Sequence, residues 1–328
     1  MRFLYLLLFS LVLLGCASDR DQKKPPETPA KVVAVPEFNA DSAYYFVKKQ
    51  VDFGPRVPNS TPHRNAGDFF ISEFKKYGAT VTVQEFTVVS YDNQKLNLRN
   101  IIASFSPEKT KRILLAAHWD TRPFADKDLE KPNAPFDGAN DGASGVGVLL
   151  EIARVLKTNT APEVGVDIIL FDGEDWGEKN GEQNTHRLPN GLQEWWCLGS
   201  QHWSKNKHKP NYSAYYGILL DMVGGKNAQF AREGYSMEYA PSVVDKIWMT
   251  ASRLGYAHIF INLKEAPITD DHRFVNEIAK IPMVNIISYD PTTGFGDFHH
   301  TRKDNMDIIS KETLGAVGNT LLRVIYYE

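Results

Sequence analysis

Apolar residues recur along the chain with two spacings, one typical of helices and one typical of buried strands. In five segments they recur every three or four positions, and we predict helices there. The predicted helices span residues 40–51, 64–77, 144–156, 241–254 and 311–325. Short apolar runs between them predict buried strands, and residues 80–88 alternate as a strand does. The buried runs span residues 113–117, 166–171, 216–222 and 283–287.

The order of these segments indicates a fold class. Buried strands alternate with helices along the chain, and this alternation is typical of a largely parallel sheet covered by helices on both faces. We therefore predict a single α/β domain with a mostly parallel central β-sheet. In such sheets, functional side chains collect where the strands end and the loops turn outward.

Residues 1–16 have the pattern of a bacterial export signal. Met1 and Arg2 precede an apolar run over residues 3–14, which is too short to span a bilayer as a stable helix. The run ends in Leu-Leu-Gly-Cys, which resembles a lipobox whose cysteine, Cys16, becomes the lipidated first residue. We predict a lipoprotein signal peptide over residues 1–16. The alternative is an ordinary signal peptide with an incidental cysteine.

The next segment separates the predicted anchor from the folded domain. Residues 17–37 are rich in Lys, Pro, Asp and Ala and lack periodic apolar positions, so we predict a disordered tether. The catalytic α/β domain would then span residues 38–328. Acyl chains on Cys16 would hold the protein at a membrane without spanning it, on the periplasmic side or at the cell surface. Cys197 would then have no cysteine to pair with.

The composition narrows the class of partner. The chain of 328 residues contains 42% hydrophobic and 23% charged residues, as globular proteins do. Its formal net charge of −3 gives no electrostatic support to nucleic-acid binding. We therefore expect no nucleic-acid partner, and contact with a membrane only through the predicted lipid anchor.

Acidic residues and histidines lie at the ends of the predicted strands and mark a candidate metal site. They could supply the nitrogen and oxygen ligands that zinc takes in proteins. They are His118, Asp120, Asp141, Asp172, Glu174, Asp175, Asp221, His299 and His300. Single members have simpler explanations, because Asp141 or Ser144 could cap a helix and Asp172 could cap a turn. Their occurrence at successive strand ends favours metal binding.

Five motifs occur in an order that resembles a known family. They are Ala-His-Trp-Asp-Thr-Arg at 117–122, Gly-Ala-Asn-Asp-Gly-Ala-Ser-Gly at 138–145, Phe-Asp-Gly-Glu-Asp at 171–175, Asp-Met-Val-Gly at 221–224 and His-Thr at 300–301. Together with Val-Asp-Phe-Gly-Pro-Arg-Val-Pro at residues 51–58, they resemble the zinc aminopeptidase family that also contains the glutaminyl-peptide cyclotransferases. The resemblance extends from about residue 40 to the C-terminus.

The resemblance implies a set of zinc ligands. In the two-zinc aminopeptidases, five positions hold a pair of metals, and they correspond here to His118, Asp141, Asp175, Asp221 and His300. In the cyclotransferases the positions persist, but one zinc is bound, by the residues that match Asp141, Asp175 and His300. We therefore expect one zinc per chain. In the peptidase alternative there would be two, with His118 as a ligand of the second.

Three features favour the cyclotransferases within this family. Residues 269–272 read Thr-Asp-Asp-His, whereas the aminopeptidases more often carry Ser-Asp-His, and residues 118–126 are similar to bacterial cyclotransferases. The third feature is a loop over residues 176–198 whose tryptophans could wall a small apolar pocket or pack in the core. These are Trp176, Trp195 and Trp196. One departure is His299, because the animal enzymes carry a tryptophan at that position.

The resemblance also implies a reaction. An N-terminal Gln of a peptide or protein would be converted into pyroglutamate, with release of ammonia. Glu174 would carry a proton from the substrate amine to the leaving ammonia, while Asp221 and Asp270 would hydrogen-bond each other and the amine. One alternative is a two-zinc aminopeptidase in which Glu174 activates water. The other is a non-catalytic binding lipoprotein, which has no use for a general base.

Overall fold

The elements of the fold are described by a computed structural model that covers residues 33–182, 185–289 and 294–328. The predicted signal peptide and the predicted tether up to residue 32 lie outside the described residues. The strands in these ranges are β1 (Thr80–Val89), β2 (Lys95–Phe105), β3 (Arg112–His118), β4 (Gly165–Phe171), β5 (Tyr216–Asp221), β6 (Phe230–Arg232), β7 (Phe260–Lys264) and β8 (Met283–Ile287). The helices are α1 (Ala40–Val51), α2 (Thr61–Lys76), α3 (Ala143–Thr158), α4 (Leu198–Lys205), α5 (Gly234–Tyr239), α6 (Pro241–Arg253), α7 (Asp271–Phe274) and α8 (Lys311–Tyr326). None of the helices in these ranges is both long enough and apolar enough to cross a membrane.

The central sheet has the strand order β1-β2-β4-β3-β5-β8. Strands β4, β3, β5 and β8 run parallel to one another. Strands β1 and β2 form an antiparallel pair, and β2 is also antiparallel to β4. The predicted single α/β domain with a mostly parallel central sheet is confirmed, and the antiparallel β1–β2 extension is an addition to it. Strands β6 and β7 pair separately.

Helices cover both faces of the sheet. Successive side chains of a strand point to opposite faces, so Ala116 and Ala117 of β3 lie on different sides. Ala116 packs in a buried cluster with Trp203 of α4. On the other side, α3 lies so close to the sheet that a Cβ on Gly145 would be 2.9 Å from the Ala117 Cβ. A glycine therefore allows α3 to lie directly on the sheet beside the ends of its strands.

The start of α3 shows whether Asp141 or Ser144 caps this helix. Its N-cap is Gly142, with a φ of +88°, and no side chain caps it. Ser144 instead bridges two loops, because its hydroxyl donates to the Asn140 carbonyl (2.6 Å) and accepts from the Val223 N–H (2.9 Å). Asp141 is thus not the helix cap, and its carboxylate is available to the site at the strand ends.

Candidate active site

The three predicted zinc ligands meet at the carboxyl ends of the parallel strands. His300 Nε2 lies 3.2 Å from Asp175 Oδ1 and 3.7 Å from Asp141 Oδ2. All three side chains are buried. They come from three separate segments, the loop before α3, the loop after β4 and the loop after β8, so tertiary structure brings them together.

The donor set fits a zinc ion. Asp175 Oδ2 accepts a hydrogen bond from the Arg122 N–H at 2.9 Å. Asp175 Oδ1 is buried and makes no hydrogen bond, although it faces His300 Nε2. A buried carboxylate oxygen without a donor is costly, and a cation between these ligands removes that cost. One imidazole and two carboxylates leave the open position that a catalytic zinc needs.

A second cluster of ligands lies beside the first. His118 Nε2 is 3.0 Å from Asp141 Oδ1 and 3.2 Å from Asp221 Oδ1. Ligand atoms of these three residues lie within 4.8 Å of one another, as a metal site requires. Burial lowers the pKa of His118, but its hydrogen bonds with Asp120, Asp141 and Asp221 outweigh burial and raise the pKa well above the usual value. His118 is therefore placed either to bind a second metal or, as a cation, to balance two carboxylates.

The predicted general base, Glu174, lines a pocket that Asp141 and His300 also line. Its Oε1 accepts a hydrogen bond from the Cys197 thiol at 3.1 Å. Its backbone N–H and that of Asp175 donate to the two oxygens of Asp120, at 3.1 and 3.2 Å. Burial raises the pKa of Glu174 well above the usual value, with further increases from the charges of Asp270, Asp175 and Asp271. A carboxyl with a raised pKa can both accept and return a proton.

Asp221 and Asp270 also line the pocket, but they have separate hydrogen-bond partners. Asp221 contacts His118, while Asp270 accepts from the Asn285 amide (2.6 Å) and from the Asp271 N–H (2.5 Å). The expected hydrogen bond between the two carboxylates is therefore not formed. Burial raises the pKa of Asp221 to about 7, and the charge of Asp270 adds to this effect. Asn285 is a site residue that the sequence did not reveal, since it lies inside an apolar strand.

Aromatic rings close the pocket, which has a volume of about 240 Å³. Trp196 stacks on the His300 ring with 5.9 Å between centroids. His299 stacks on His300 with 3.7 Å between ring centroids and packs at a tilt against Phe295 at 4.3 Å, so His299 and Phe295 form part of the pocket wall. The other two loop tryptophans do not line the pocket. Trp176 and Trp195 pack in a buried apolar cluster with Leu96, Leu98 and Leu198.

Arg122 and Asp126 contact the predicted ligands Asp175 and His300 and hold their orientation. The buried guanidinium of Arg122 binds both Asp126 oxygens, at 3.0 and 2.6 Å, and the Asp175 carbonyl at 3.2 Å. Asp126 Oδ1 lies 3.5 Å from His300 Nδ1, the ring nitrogen that faces away from the other ligands. Burial alone would raise the pKa of Asp126, but the contacts with His300 and Arg122 hold it well below the usual value. A carboxylate at this position fixes the ring orientation of a metal-binding histidine.

Two more buried ionic residues hold the loop that carries Asp141. Asp304 accepts from the N–H groups of Asn140 (2.7 Å) and Asp141 (3.0 Å). Arg56, from the Val-Asp-Phe-Gly-Pro-Arg-Val-Pro motif, donates to the Trp119, Asp137 and Gly138 carbonyls. A signal for Arg56 was present in the sequence, because it lies in a family motif. Asp304 follows the His-Thr motif without being part of it.

Most of the residues described above lie in a part of the chain that matches a known protein family. Residues 100–325 match the family model described as Peptidase family M28, which is more than half of the chain. The chain belongs to peptidase family M28. The resemblance to the zinc aminopeptidase family is thereby confirmed, and the loops that carry Asp141, Asp175 and His300 lie within the matched region.

Solved structures of M28-like proteins superimpose on nearly the whole described fold. A glutaminyl cyclase of Bacteroides thetaiotaomicron is 51% identical, covers 90% of this chain and is itself covered completely, with a TM-score of 0.85. A Zn-dependent exopeptidase of Parabacteroides distasonis is 52% identical over 89% of this chain and 99% of its own, with a TM-score of 0.84.

Aminopeptidase YwaD of Bacillus subtilis is 26% identical over 83% of this chain and 54% of its own length. This M28 chain spans about half the length of the first curated relatives that it matches.

Proposed function

We propose that this chain is a zinc-dependent glutaminyl-peptide cyclotransferase, which converts an N-terminal Gln of peptides into pyroglutamate and releases ammonia. One observation carries the proposal: three carboxylates, Glu174, Asp221 and Asp270, line a single small pocket together with the predicted zinc ligands Asp141 and His300. The Bacteroides glutaminyl cyclase, which is 51% identical over its full length, supports it.

The acidic part of the pocket is suited to an amino terminus. Asp221 and Asp270 would hold the substrate's α-amino group, and its γ-amide would then extend toward Asp141 and His300. Amine and amide belong to the same residue, so the ring closure is intramolecular, and a pocket that folds the Gln side chain back holds the two groups in a reactive conformation. Orientation of this kind lowers the barrier, because the side-chain torsions are fixed before the reaction.

Glu174 would move the proton that the reaction requires. The amine nitrogen forms a bond to the carbonyl carbon of the side-chain amide, Cδ, the bond from that carbon to the amide nitrogen breaks, and one proton passes from the first nitrogen to the second. Glu174 takes this proton and returns it, so the carboxylate ends the cycle unchanged. A zinc ion held by Asp141, Asp175 and His300 would act as a Lewis acid toward the γ-carbonyl oxygen.

The aromatic wall favours cyclisation over hydrolysis. Trp196, Phe295 and His299 surround the ligand cluster, and Met222, Ile268 and Ile287 complete an apolar lining. Apolar side chains packed around a bound substrate would displace water from the reacting carbon. The substrate's own amine is then the nucleophile best placed to attack, and no water is consumed in the overall reaction.

The second candidate function is a two-zinc aminopeptidase. It is favoured by the cluster of His118, Asp141 and Asp221, whose ligand atoms lie within 4.8 Å of one another beside the first set. It is also favoured by the match to aminopeptidase YwaD. In that case Glu174 would activate water, and the first residue of any suitable peptide would be released.

A side-by-side assay separates the two functions. The purified protein is given a Gln-initiated peptide, with ammonia release measured, and a set of aminoacyl substrates, with hydrolysis measured. We expect ammonia release without aminoacyl hydrolysis, and one zinc per chain by metal analysis. Hydrolysis of aminoacyl substrates together with two zinc ions per chain would replace this proposal by the aminopeptidase.

We propose further that the enzyme is exported and anchored through Cys16, with the domain facing the periplasm or the cell surface. The proposal is supported by the lipobox-like residues 13–16 and by the Pro- and Lys-rich segment over residues 17–37. Its substrates would then be the amino termini of exported or extracellular peptides and proteins.

A further inference from the structure

A second cavity, which we call the outer groove, adjoins the active-site pocket. It has a volume of about 720 Å³, and its lining includes Leu129 and Thr301. Three residues line both cavities and therefore mark the passage between them: Lys127, Phe295 and His299. The reaction changes only the first residue of a peptide, so the rest of the substrate must extend out of the pocket through an opening of this kind.

Lys127 stands at this passage with an unusual set of partners. Its Nζ donates to His299 Nδ1 at 2.7 Å and lies 5.7 Å from the centre of the Phe295 ring. An ammonium group has three N–H donors, so two remain for a ligand. The side chain is exposed, and its backbone is fixed, because the Lys127 N–H donates to the His300 carbonyl at 3.2 Å.

The other cations around the two cavities are already neutralised. Arg122 binds Asp126, Arg302 binds Asp128 and Glu130, and Lys303 binds Asp297. Among the described Lys and Arg residues that line the pocket and the outer groove, only Lys127 has no ion pair with a carboxylate. A substrate carboxylate would be repelled by the acidic groups elsewhere on this surface and attracted at this one point.

The spacing suits the residue directly after the Gln. Lys127 contacts His299, and the His299 ring stacks on the zinc ligand His300 with 3.7 Å between centroids. An extended residue advances about 3.4 Å along a chain, and acidic side chains add to that reach. A carboxylate one residue beyond the reacting Gln would therefore lie near the Lys127 ammonium.

We propose that Lys127 is a specificity-determining residue that selects substrates with a carboxylate on the residue after the N-terminal Gln. The carboxylate is either the side chain of Asp or Glu at the second position or the C-terminus of a Gln dipeptide. This inference rests on the proposed cyclotransferase function and names the substrate class that the same site prefers.

The test compares matched peptides. Ammonia release is followed with Gln-Glu-Ala-Ala-amide and its neutral isostere Gln-Gln-Ala-Ala-amide, and with Gln-Ala as the free acid and as the amide. For the wild type we expect kcat/KM to favour the acidic member by about fivefold, as one solvent-exposed ion pair supplies. The difference should lie in KM, because the carboxylate does not take part in the chemistry, and salt should reduce it.

Three variants assign the effect to one side chain. Lys127→Met keeps the length but removes the charge, and it should bring the acidic-to-neutral ratio to about one. Lys127→Arg should keep the preference. Lys75→Met, on the exposed end of α2 remote from the pocket, removes the same charge and should leave the ratio unchanged.

The outcomes separate this inference from the function on which it rests. Turnover of both members of each pair with equal kcat/KM in the wild type, or an unchanged preference in Lys127→Met, overturns the role of Lys127 and leaves the cyclotransferase intact. Absence of ammonia release from every Gln peptide overturns the proposed function itself. A preference in the tetrapeptide pair alone identifies the side-chain carboxylate as the recognised group, and a preference in the dipeptide pair alone identifies the C-terminus.

Discussion

The Cys197 thiol donates a hydrogen bond to Glu174 Oε1 at 3.1 Å, and the Cys197 N–H donates to the Glu174 carbonyl at 2.9 Å. Cys197 is buried and has a φ of +58°, a left-handed conformation that few residues other than glycine adopt. Cys197, directly before α4, thus keeps an unfavourable backbone conformation, and its side chain contacts the predicted base, Glu174. The contact fixes one carboxylate oxygen of Glu174 and leaves the other for the substrate.

This relationship predicts a graded effect of substitutions at Cys197. Cys197→Ala removes the donor and should lower kcat by about fivefold, since one hydrogen bond contributes about 1 kcal/mol. Cys197→Ser restores an O–H donor in a side chain of similar size, so its kcat should lie closer to the wild type. The KM should change little in both variants, because Cys197 does not line the pocket. Equal kcat values in Cys197→Ala and the wild type would show that the contact has no catalytic role.

Asp126 should determine how tightly the protein binds zinc. It lies 3.5 Å from His300 Nδ1 and binds Arg122 through both oxygens. Asp126→Asn should weaken zinc binding by about 10- to 100-fold, since partners of metal-binding histidines have effects of this size. The measurement is zinc loss during titration with a chelator. Asp128→Asn is the control, because Asp128 lies on the same loop and binds Arg302. Equal zinc affinity in the two variants would contradict the assignment.

Much of the fold could be predicted because short apolar runs report burial directly. The runs before His118, before Glu174 and around Asp221 became β3, β4 and β5, and their parallel order placed these side chains at one edge. The direction of pairing was harder to infer. Strand β2 was not among the predicted strands, although Leu96 and Leu98 are buried on one face, and its pattern does not indicate that it runs antiparallel to β4.

The residues that support the site were less predictable than those at its centre. Arg122 and Asp126 lie in a loop, where periodicity carries no information, and their contacts with Asp175 and His300 depend on distant segments. Asn285 lies within an apolar run, and only the tertiary structure brings it to Asp270. For Trp176 and Trp195 the sequence allowed two interpretations, a pocket wall or a core position. The structure places both in a buried apolar cluster.

Glu233 should make the stability of the domain depend on pH. It caps α5 by accepting from the Tyr235 and Ser236 N–H groups, and its Oε2 lies 2.9 Å from His272 Nε2. Burial favours the neutral carboxyl, but His272, Ser236 and the Ile268 N–H outweigh burial and lower the pKa of Glu233 to about 2. The folded-state pKa is thus below the unfolded value of about 4.3.

A lowered folded-state pKa stabilises the fold above the unfolded pKa, and this stabilisation is lost as the pH falls toward 2. Glu233→Gln should therefore reduce the free energy of unfolding near neutral pH by on the order of 3 kcal/mol. The difference from the wild type should shrink between about pH 4 and pH 2. Urea unfolding at several pH values measures it, with Glu85→Gln on exposed β1 as the control. A loss that stays constant with pH would refute this account of Glu233.

The predicted lipid anchor has its own test. Cys16→Ser removes the acylation site, and the protein should move from the membrane fraction to the soluble exported fraction while its activity is kept. The measurement is fractionation of cells that express the full chain, with Cys197→Ser as the matched control that retains Cys16. An unchanged membrane fraction in Cys16→Ser would contradict acylation at this residue.

The most direct test of the account follows the products of one Gln-initiated peptide by mass spectrometry, for the wild type and for Glu174→Gln at equal zinc content. The wild type should convert the peptide into the pyroglutamyl form with one ammonia per peptide. Glu174→Gln should keep its zinc but lose turnover by about 10²- to 10⁴-fold, the usual contribution of a general base. Release of free glutamine with a shortened peptide, or wild-type turnover in Glu174→Gln, would contradict the proposed cyclisation and the role of Glu174 in it.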